Sequence, residues 1–239
     1  LFNLLNEKGY LLEKVSKQPY SEESEMFLSD RYIEGDCPHC PSRTKGDQCD
    51  DCSKDFEPID LKNLISTIDN SKVTFKETNH IYLKLPEFQE DLNKWIKSKS
   101  YWKPSVKNQS LGFLSNGLID RAITRDIDWG VEVPLKNYEK KRIYVWFEAV
   151  IGYLSASIEW AKSDKNISNN KDIWKEWWQN PDSKHFYFQG KDNIPFHTII
   201  LPSILMGSGE YNLPYDVVVG GLYRCDKNKC QRMCDHFPL

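Results

Sequence analysis

The sequence predicts an α/β fold built on parallel strands, together with a short knuckle of metal-binding spacing. Three stretches carry that reading. Ile143-Tyr144-Val145-Trp146-Phe147 is an unbroken run of β-branched and aromatic residues, as suits a strand covered on both faces, and the chain turns helical at Glu148-Ala149. Phe186-Tyr187-Phe188 repeats the pattern as a second buried strand, ending at Gly190 ahead of a helix that Asp192 introduces and Pro195 helps to begin. Between them in kind, but earlier in the chain, two Cys-x-x-Cys pairs separated by eight residues have the spacing of a four-sulfur metal site.

Composition sets the bounds. The 239 residues suffice for one large domain or two modest ones with a real core. Thirty-two basic residues face thirty-five acidic ones, a net charge of -3, so any nucleic-acid contact rests on local patches. Aromatic residues make up 13%, with eight tryptophans, which excludes a disordered chain. No apolar run approaches the roughly 18 residues that span a bilayer, so no membrane partner is expected, and no secretory signal opens the chain. The seven cysteines cluster in two groups rather than forming a disulfide framework, which points to a reducing, cytoplasmic setting. Leu1 starts inside an apparent helix with no initiator methionine, and the sequence reads as a piece of a longer protein.

Taken in order, Leu1, Leu4 and Leu5 ahead of Gly9 predict a short amphipathic helix. Tyr10 to Val15 reads as a strand, and the polar stretch from Gln18 to Glu25, which carries Pro19, as a boundary. Met26-Phe27-Leu28 and Arg31-Tyr32-Ile33 are short strands either side of Ser29-Asp30. Cys37 and Cys40, then Cys49 and Cys52, form two knuckles that present two sulfurs each to one ion, with Gly46 turning the chain between them. Zinc suits four thiolates, and iron fits the same cage. A closed four-sulfur site keeps no open coordination position, so the metal is structural and His39 faces solvent. Arg43 and Lys45 are outweighed by Asp47, Asp50, Asp51 and Asp55, a poor composition for gripping nucleic acid.

Ile81 to Leu85 reads as a strand, and Pro86 opens a helix with Phe88, Leu92, Trp95 and Ile96 on one face. Ser105 to Arg121 is a weaker helical stretch, interrupted by Gly112 and Gly117. Residues 153–162 predict a helix, 163–171 a polar surface loop, and Ile173, Trp174, Trp177 and Trp178 a helical packing stripe. Phe196, Ile199, Ile200, Ile204 and Leu205 then pack a helix on the sheet, leaving His197 to face a pocket.

Ligands of open α/β sheets collect past the carboxyl ends of strands. That puts Trp146, Ala149, Val150 and Tyr153 at a mostly apolar pocket mouth, with Gly152 permitting close approach. The bland alternative is a core strand with its aromatics packed inward. The crossing at Gly190 lets backbone N–H groups approach a phosphate or ribose, although the same pattern occurs as ordinary α/β architecture. On its own, Arg125-Asp126 reads as a surface ion pair worth little.

The wording of three stretches goes further. Tyr144-Val145-Trp146-Phe147-Glu148-Ala149-Val150-Ile151-Gly152-Tyr153 resembles the methionine-pocket segment of methionyl-tRNA synthetases. Gly190-Lys191-Asp192-Asn193-Ile194-Pro195-Phe196-His197 resembles a second motif of that family, and Asp30-Arg31-Tyr32 followed by paired cysteines a third. The likeness runs from about residue 1 to about residue 220. It implies a partial class I synthetase catalytic domain of Rossmann-like type, in two parts, residues 1–17 and 86–219. Residues 18–85 would be a connective insertion with its zinc knuckle, and 220–239 a divergent tail.

The resemblance also implies chemistry. Methionine would be activated by ATP, with Mg, to methionyl-adenylate and passed to tRNA(Met). Trp146, Ala149, Val150, Tyr153 and His197 would bind methionine, with His197 hydrogen bonded to Tyr153 or beside the sulfur. Arg125 and Asp192 would be the catalytic pair, and Gly190, Asp192 and Asn193 would meet the nucleotide. The family's His-Ile-Gly-His-type ATP motif and its lysine-bearing loop are expected before Leu1 and after Gly220, so these residues alone are expected not to form adenylate. Past Gly220, Cys225, Cys230, Cys234 and His236 match no ribbon spacing; an altered tail that need not fold is expected, a second metal the alternative. Two other functions compete: a class I synthetase for another apolar amino acid, and a non-catalytic zinc-ribbon module that binds RNA or protein.

Overall fold

The structure, a computed structural model, describes every residue except 47, 48, 50, 53–55, 57, 210 and 221–239. The tail cluster of Cys225, Cys230, Cys234 and His236 therefore lies outside the described residues. Helix α1 (Phe2–Glu7) stops ahead of Gly9, whose φ of +77° suits a residue without Cβ. Strand β1 (Leu11–Ser21) follows, then β2 (Met26–Phe27), β3 (Ile33–Asp36), β4 (Arg43–Lys45), β5 (Lys62–Ser66) and β6 (Val73–Leu83). Helices α2 (Gln89–Ser98) and α3 (Pro104–Ser115) precede three two-residue strands, β7 (Arg121–Ala122), β8 (Thr124–Arg125) and β9 (Arg142–Ile143). Then come α4 (Val145–Glu148), α5 (Gly152–Lys162), α6 (Lys175–Trp178), β10 (Phe186–Gly190), α7 (Leu201–Ser208) and β11 (Asp216–Gly220).

Packing groups the chain into two compact units: residues 2–84 with 120–148, and residues 85–119 with 149 onward, Leu1 counting with the latter. The first unit is antiparallel. Its main sheet has the order β2-β1-β6-β7, and β1 pairs with β6 without interruption from Leu11↔Leu83 to Ser21↔Val73. A smaller sheet, β4-β3-β5, rests on a core of Leu28, Ile33, Leu61, Leu64 and Val73, with Phe56 and Phe75 against it. Gly35 sits in β3, where the pairing with β5 shifts register. A Cβ there would lie 2.8 Å from the Lys62 carbonyl oxygen, so only glycine lets β5 come this close.

The second unit carries the α/β signature. Strands β10 and β11 pair in parallel, from Phe186↔Asp216 to Gly190↔Gly220, and the connection between them is helical, as a parallel crossover requires. The segment Phe196–Ile200 is a π-helical turn, closed by the Leu201 N–H donating to the Phe196 carbonyl, and α7 continues from it. Ile199, Ile200, Leu201, Ile204 and Leu205 are buried, as are Leu92, Ile96, Val106 and Leu114 of α2 and α3. The Ser110 hydroxyl donates to Thr198 Oγ1 at 2.9 Å, so α3 is fastened to the π turn by a buried polar link.

Several predicted elements differ. The run Ile143 to Phe147 is not one strand: β9 ends at Ile143, and Phe147 and Glu148 N–H groups donate back to the Tyr144 carbonyl to begin a helix. Strand propensity measures fit to a half-buried pleated surface, and the local pairing with β8 covers only two residues. Arg31-Tyr32 belongs to a 3-10 turn, Asp30–Tyr32, so β3 begins only at Ile33. Strand β1 runs through the polar stretch at Gln18, and Pro19 is accommodated with its carbonyl accepting the Leu28 N–H at 2.9 Å. Phe186-Tyr187-Phe188 is a strand, but only Tyr187 is buried; Phe188 is 73% exposed, the alternation of a one-sided sheet. The tryptophan stripe shortens to α6, with Trp178 buried and Trp177 exposed.

Replacing Gly35 by alanine should push β5 off β3 and cost about 1–3 kcal/mol, the range for forcing an extra carbon into a packed site. Thermal unfolding of the variant beside the parent, with metal content assayed in both, checks this; equal unfolding temperatures would contradict it.

Candidate functional site

The knuckle is local in origin. Cys37 follows β3, and its N–H donates to the Ser42 carbonyl at 2.9 Å, which folds Cys37 and Cys40 to one side of the β3–β4 hairpin. The His39 N–H points at Cys37 Sγ, 3.4 Å away, while the His39 side chain is exposed. Cys37 and Cys52 sulfurs are 3.8 Å apart, Cys40 and Cys49 sulfurs 3.6 Å, and all four lie within 4.8 Å of one another. A tetrahedral ion with bonds of about 2.3 Å to sulfur has edges of about 3.8 Å, so the four donors fit one such ion. None of these cysteines is disulfide-bonded. Backbone N–H groups of Cys52 and Asp51 lower the Cys49 thiol to about 7, helping it toward the thiolate a metal needs. Arg43 bonds to Glu34 (3.0 Å) and Asp36 (3.3 Å), and Lys45 lies 3.8 Å from Glu34. Among the described residues of the knuckle, Arg43 and Lys45 are thus occupied by its own acids.

In the unit built on β10 and β11, two of the predicted substrate residues meet. Tyr153, on α5, places its hydroxyl 3.0 Å from His197 Nε2, and His197 Nδ1 lies 3.0 Å from the Asn193 carbonyl. The carbonyl can only accept, so Nδ1 carries the proton and Nε2 accepts from the tyrosine. His197 is 5% exposed, and burial pushes its imidazole below the ordinary value, against the pull of the Asn193 carbonyl. The ring is neutral at physiological pH. Tyr187, which sequence reasoning passed over, backs the pair: its ring stands edge-on to Tyr153, centroids 5.2 Å apart, and 5.3 Å from His197. Burial raises its phenol strongly.

Val150 is buried and Ala149 exposed, both in a 3-10 turn ahead of α5. Gly190 closes β10, and Lys191–Asn193 form a 3-10 turn on which Asp192 is exposed. Asn193 presents its carbonyl to His197 and, at 3.3 Å, to the Gln189 amide, so its backbone oxygen is committed inside the fold.

Trp146 and Arg125 belong to the other unit. Trp146 stands on α4, 39% exposed, rather than at a strand end. Arg125, at the end of β8, lays its guanidinium 3.9 Å over the Tyr144 ring. Its Nη1 donates to the Ala122 (3.3 Å) and Thr124 (3.0 Å) carbonyls, and Nη2 lies 3.8 Å from Asp30. The surface pair expected between Arg125 and Asp126 is not what forms. Asp126 turns the other way, to His80 and Lys141, neither of which the sequence singled out.

Comparison with known proteins places this geometry. The sequence model of the tRNA synthetases class I (M) family matches residues 1–233. The methionine–tRNA ligase of Dehalococcoides mccartyi is 51% identical over 218 residues, that of Chloroflexus aggregans 50% over 238, and that of Thermoplasma volcanium 47% over 215. These alignments cover 91%, 91% and 90% of this chain and 38%, 39% and 39% of the relatives, so the chain spans under two-fifths of their length. The Mycobacterium tuberculosis methionyl-tRNA synthetase bound by methionyl-adenylate superposes with a TM-score of 0.58 at 21% identity, covering 92% of this chain and 37% of that one. That likeness establishes the fold. Among the described residues, no helix is long and apolar enough to cross a membrane.

The folded-state imidazole of His197 lies below its unfolded value, so its contribution to stability is complete above about pH 6.5 and is lost as pH falls through the folded value. A histidine-resolved NMR titration should show a midpoint under about 6.5 for this ring; a midpoint above that would refute the buried, neutral assignment.

Proposed function

The chain belongs to the class I tRNA synthetases, and we propose that it is the central segment of a methionine–tRNA ligase. Residues 1–17 and 86–219 would belong to the nucleotide-binding catalytic domain and 18–85 to its connective insertion. The reading is supported by relatives of about 50% identity, each a methionine–tRNA ligase, across both motif stretches. The observation that carries it is the Tyr153–His197 hydrogen bond at 3.0 Å, made by one residue from each motif.

The chemistry would run in two steps. Methionine's carboxylate attacks the α-phosphate of ATP, which arrives with Mg as co-substrate, and pyrophosphate leaves. The acyl group of the adenylate then passes to the terminal ribose of tRNA(Met). No covalent enzyme intermediate is needed, so the protein's work is positioning and charge stabilisation. Tyr153 would offer a ring face to the thioether, a contact worth about 0.3–1.5 kcal/mol, with Ala149 and Val150 beside it, and the motif of Trp146 implies the same role for its ring. A neutral His197 suits an uncharged sulfur better than an imidazolium would, since it brings no charge to be desolvated. Asp192, exposed on its turn, would hold the ammonium or the adenylate, with Gly190 and Asn193 allowing nucleotide approach. Arg125 would balance charge at the reacting end. Trp146 and Arg125 enter on their motifs alone.

Zinc is the ion we assign to Cys37, Cys40, Cys49 and Cys52, in a structural role because four sulfurs close its coordination sphere. The cytoplasm, where translation and free thiols coexist, is the setting we assign.

Two measurements test these readings. The full-length protein carrying this chain should catalyse methionine-dependent ATP–pyrophosphate exchange, and His197→Ala should lower kcat/KM for methionine about tenfold or more, about 1.4 kcal/mol. Exchange driven instead by isoleucine or valine would move the assignment to another class I enzyme. Metal analysis should give one zinc per chain, lost with Cys40→Ser; retained exchange after zinc loss would leave the metal's role to the insertion alone, and absent exchange with zinc-dependent RNA binding would favour a non-catalytic module.

A further inference from the structure

We propose that His80, Asp126 and Lys141 are positioning residues for Arg125; the inference rests on the reading that Arg125 meets the reacting end of the substrate. Strand β8 is only Thr124–Arg125, held in its sheet by pairing with β9 (Thr124↔Ile143, Arg125↔Arg142). Two residues of pairing are little to fix a long side chain. The additional hold comes from side chains that grip the neighbours of Arg125 on both sides.

His80, on β6 and 1% exposed, is the grip. Its Nδ1 is 2.8 Å from the Thr124 hydroxyl, and its Nε2 is 3.0 Å from Asp126 Oδ2. One imidazole thus ties down the residue before Arg125 and the residue after it. The protons are consistent: Thr124 Oγ1 accepts the Ile81 N–H at 3.1 Å and donates to Nδ1, which leaves Nε2–H for the carboxylate. Asp126 is held further by the Thr78 hydroxyl at 3.1 Å and by the ammonium of Lys141, which also reaches Thr78 at 2.6 Å. Lys141 is 8% exposed and immediately precedes β9, so the carboxylate is fastened from β6 and from the β9 side together. With its two neighbours turned into this network, Arg125 projects elsewhere, over Tyr144 and toward Asp30.

A buried Lys–Asp pair is a poor way to gain stability, because desolvation offsets most of the attraction and an apolar pair of similar volume serves as well. What the polar network adds is a single geometry, and the residue whose geometry it fixes is Arg125.

The test uses the full-length protein and a charge-free double variant, Asp126→Asn with Lys141→Met, which leaves no unpaired buried charge. Expected are a folded protein, a kcat for pyrophosphate exchange lower by about tenfold, and a methionine KM within about twofold of the parent. Lys141→Arg alone, which keeps a cation beside Asp126, should retain most of the parental rate. His80→Phe should reproduce the loss of kcat. A folded double variant with parental kcat overturns the proposal, as does an altered KM with kcat preserved. Failure of both the double variant and His80→Phe to fold also overturns it, in favour of a purely structural network. Arg125→Ala separates the premise from the inference: if it keeps full exchange, the reading of Arg125 fails, whereas its loss beside a fully active double variant sinks the positioning claim alone.

Discussion

The unbroken pairing of β1 with β6 is the constraint on which one whole unit rests. It joins residues 11–21 to residues 73–83 in a single register, so the fifty-one residues between them are closed into a self-contained excursion. At one end of the ladder, Ser21↔Val73 lies beside the small core under β3, β4 and β5, from which the knuckle projects. Toward the other end, Lys14↔His80 and Glu13↔Ile81 set the place where β7 and β8 are received. A slip of one residue would turn His80 out of the interior and expose its hydrogen-bonding ring to water. The four-cysteine knuckle and the setting of Arg125 therefore share one support.

How much of this was legible in the sequence depends on distance along the chain. The knuckle was fully legible, because Cys37, Cys40, Cys49 and Cys52 make their case within sixteen residues. The parallel pairing of β10 was legible in kind, since a strand, a glycine and a helix recur at crossovers, but the exposure of Phe186 and Phe188 was not. Propensity scored both faces alike, and only the register says which one is covered. The run ending in Phe147 failed for a related reason. Aromatic and β-branched residues favour strands only where a neighbour exists to pair with, and past Tyr144, whose N–H still reaches the Ile123 carbonyl, the Phe147 and Glu148 N–H groups bond within their own turn.

The same contrast divides the site. Tyr153 and His197 were singled out because each sits in a motif with distinctive wording, and the structure sets their side chains 3.0 Å apart. Asp126 drew notice only as the bland partner of Arg125, its neighbour in sequence, while His80 and Lys141 are its neighbours in space. Lysine, histidine and threonine spread over residues 78–141 leave no local pattern. Tyr187 was missed because a tyrosine inside an aromatic strand reads as core, which it also is.

The π turn at Phe196–Ile200 has one more consequence. Such a turn holds one residue more than an α-turn, so what precedes it is rotated by about 100° from where a regular helix would set it. His197 lies within that turn with its ring in reach of Tyr153, while Ile204 and Leu205 keep their places in the core. Chain length within this one coil is thus information in its own right: excising a single residue would leave the composition nearly intact, heal the backbone into an ordinary helix, and swing the imidazole off its phenol.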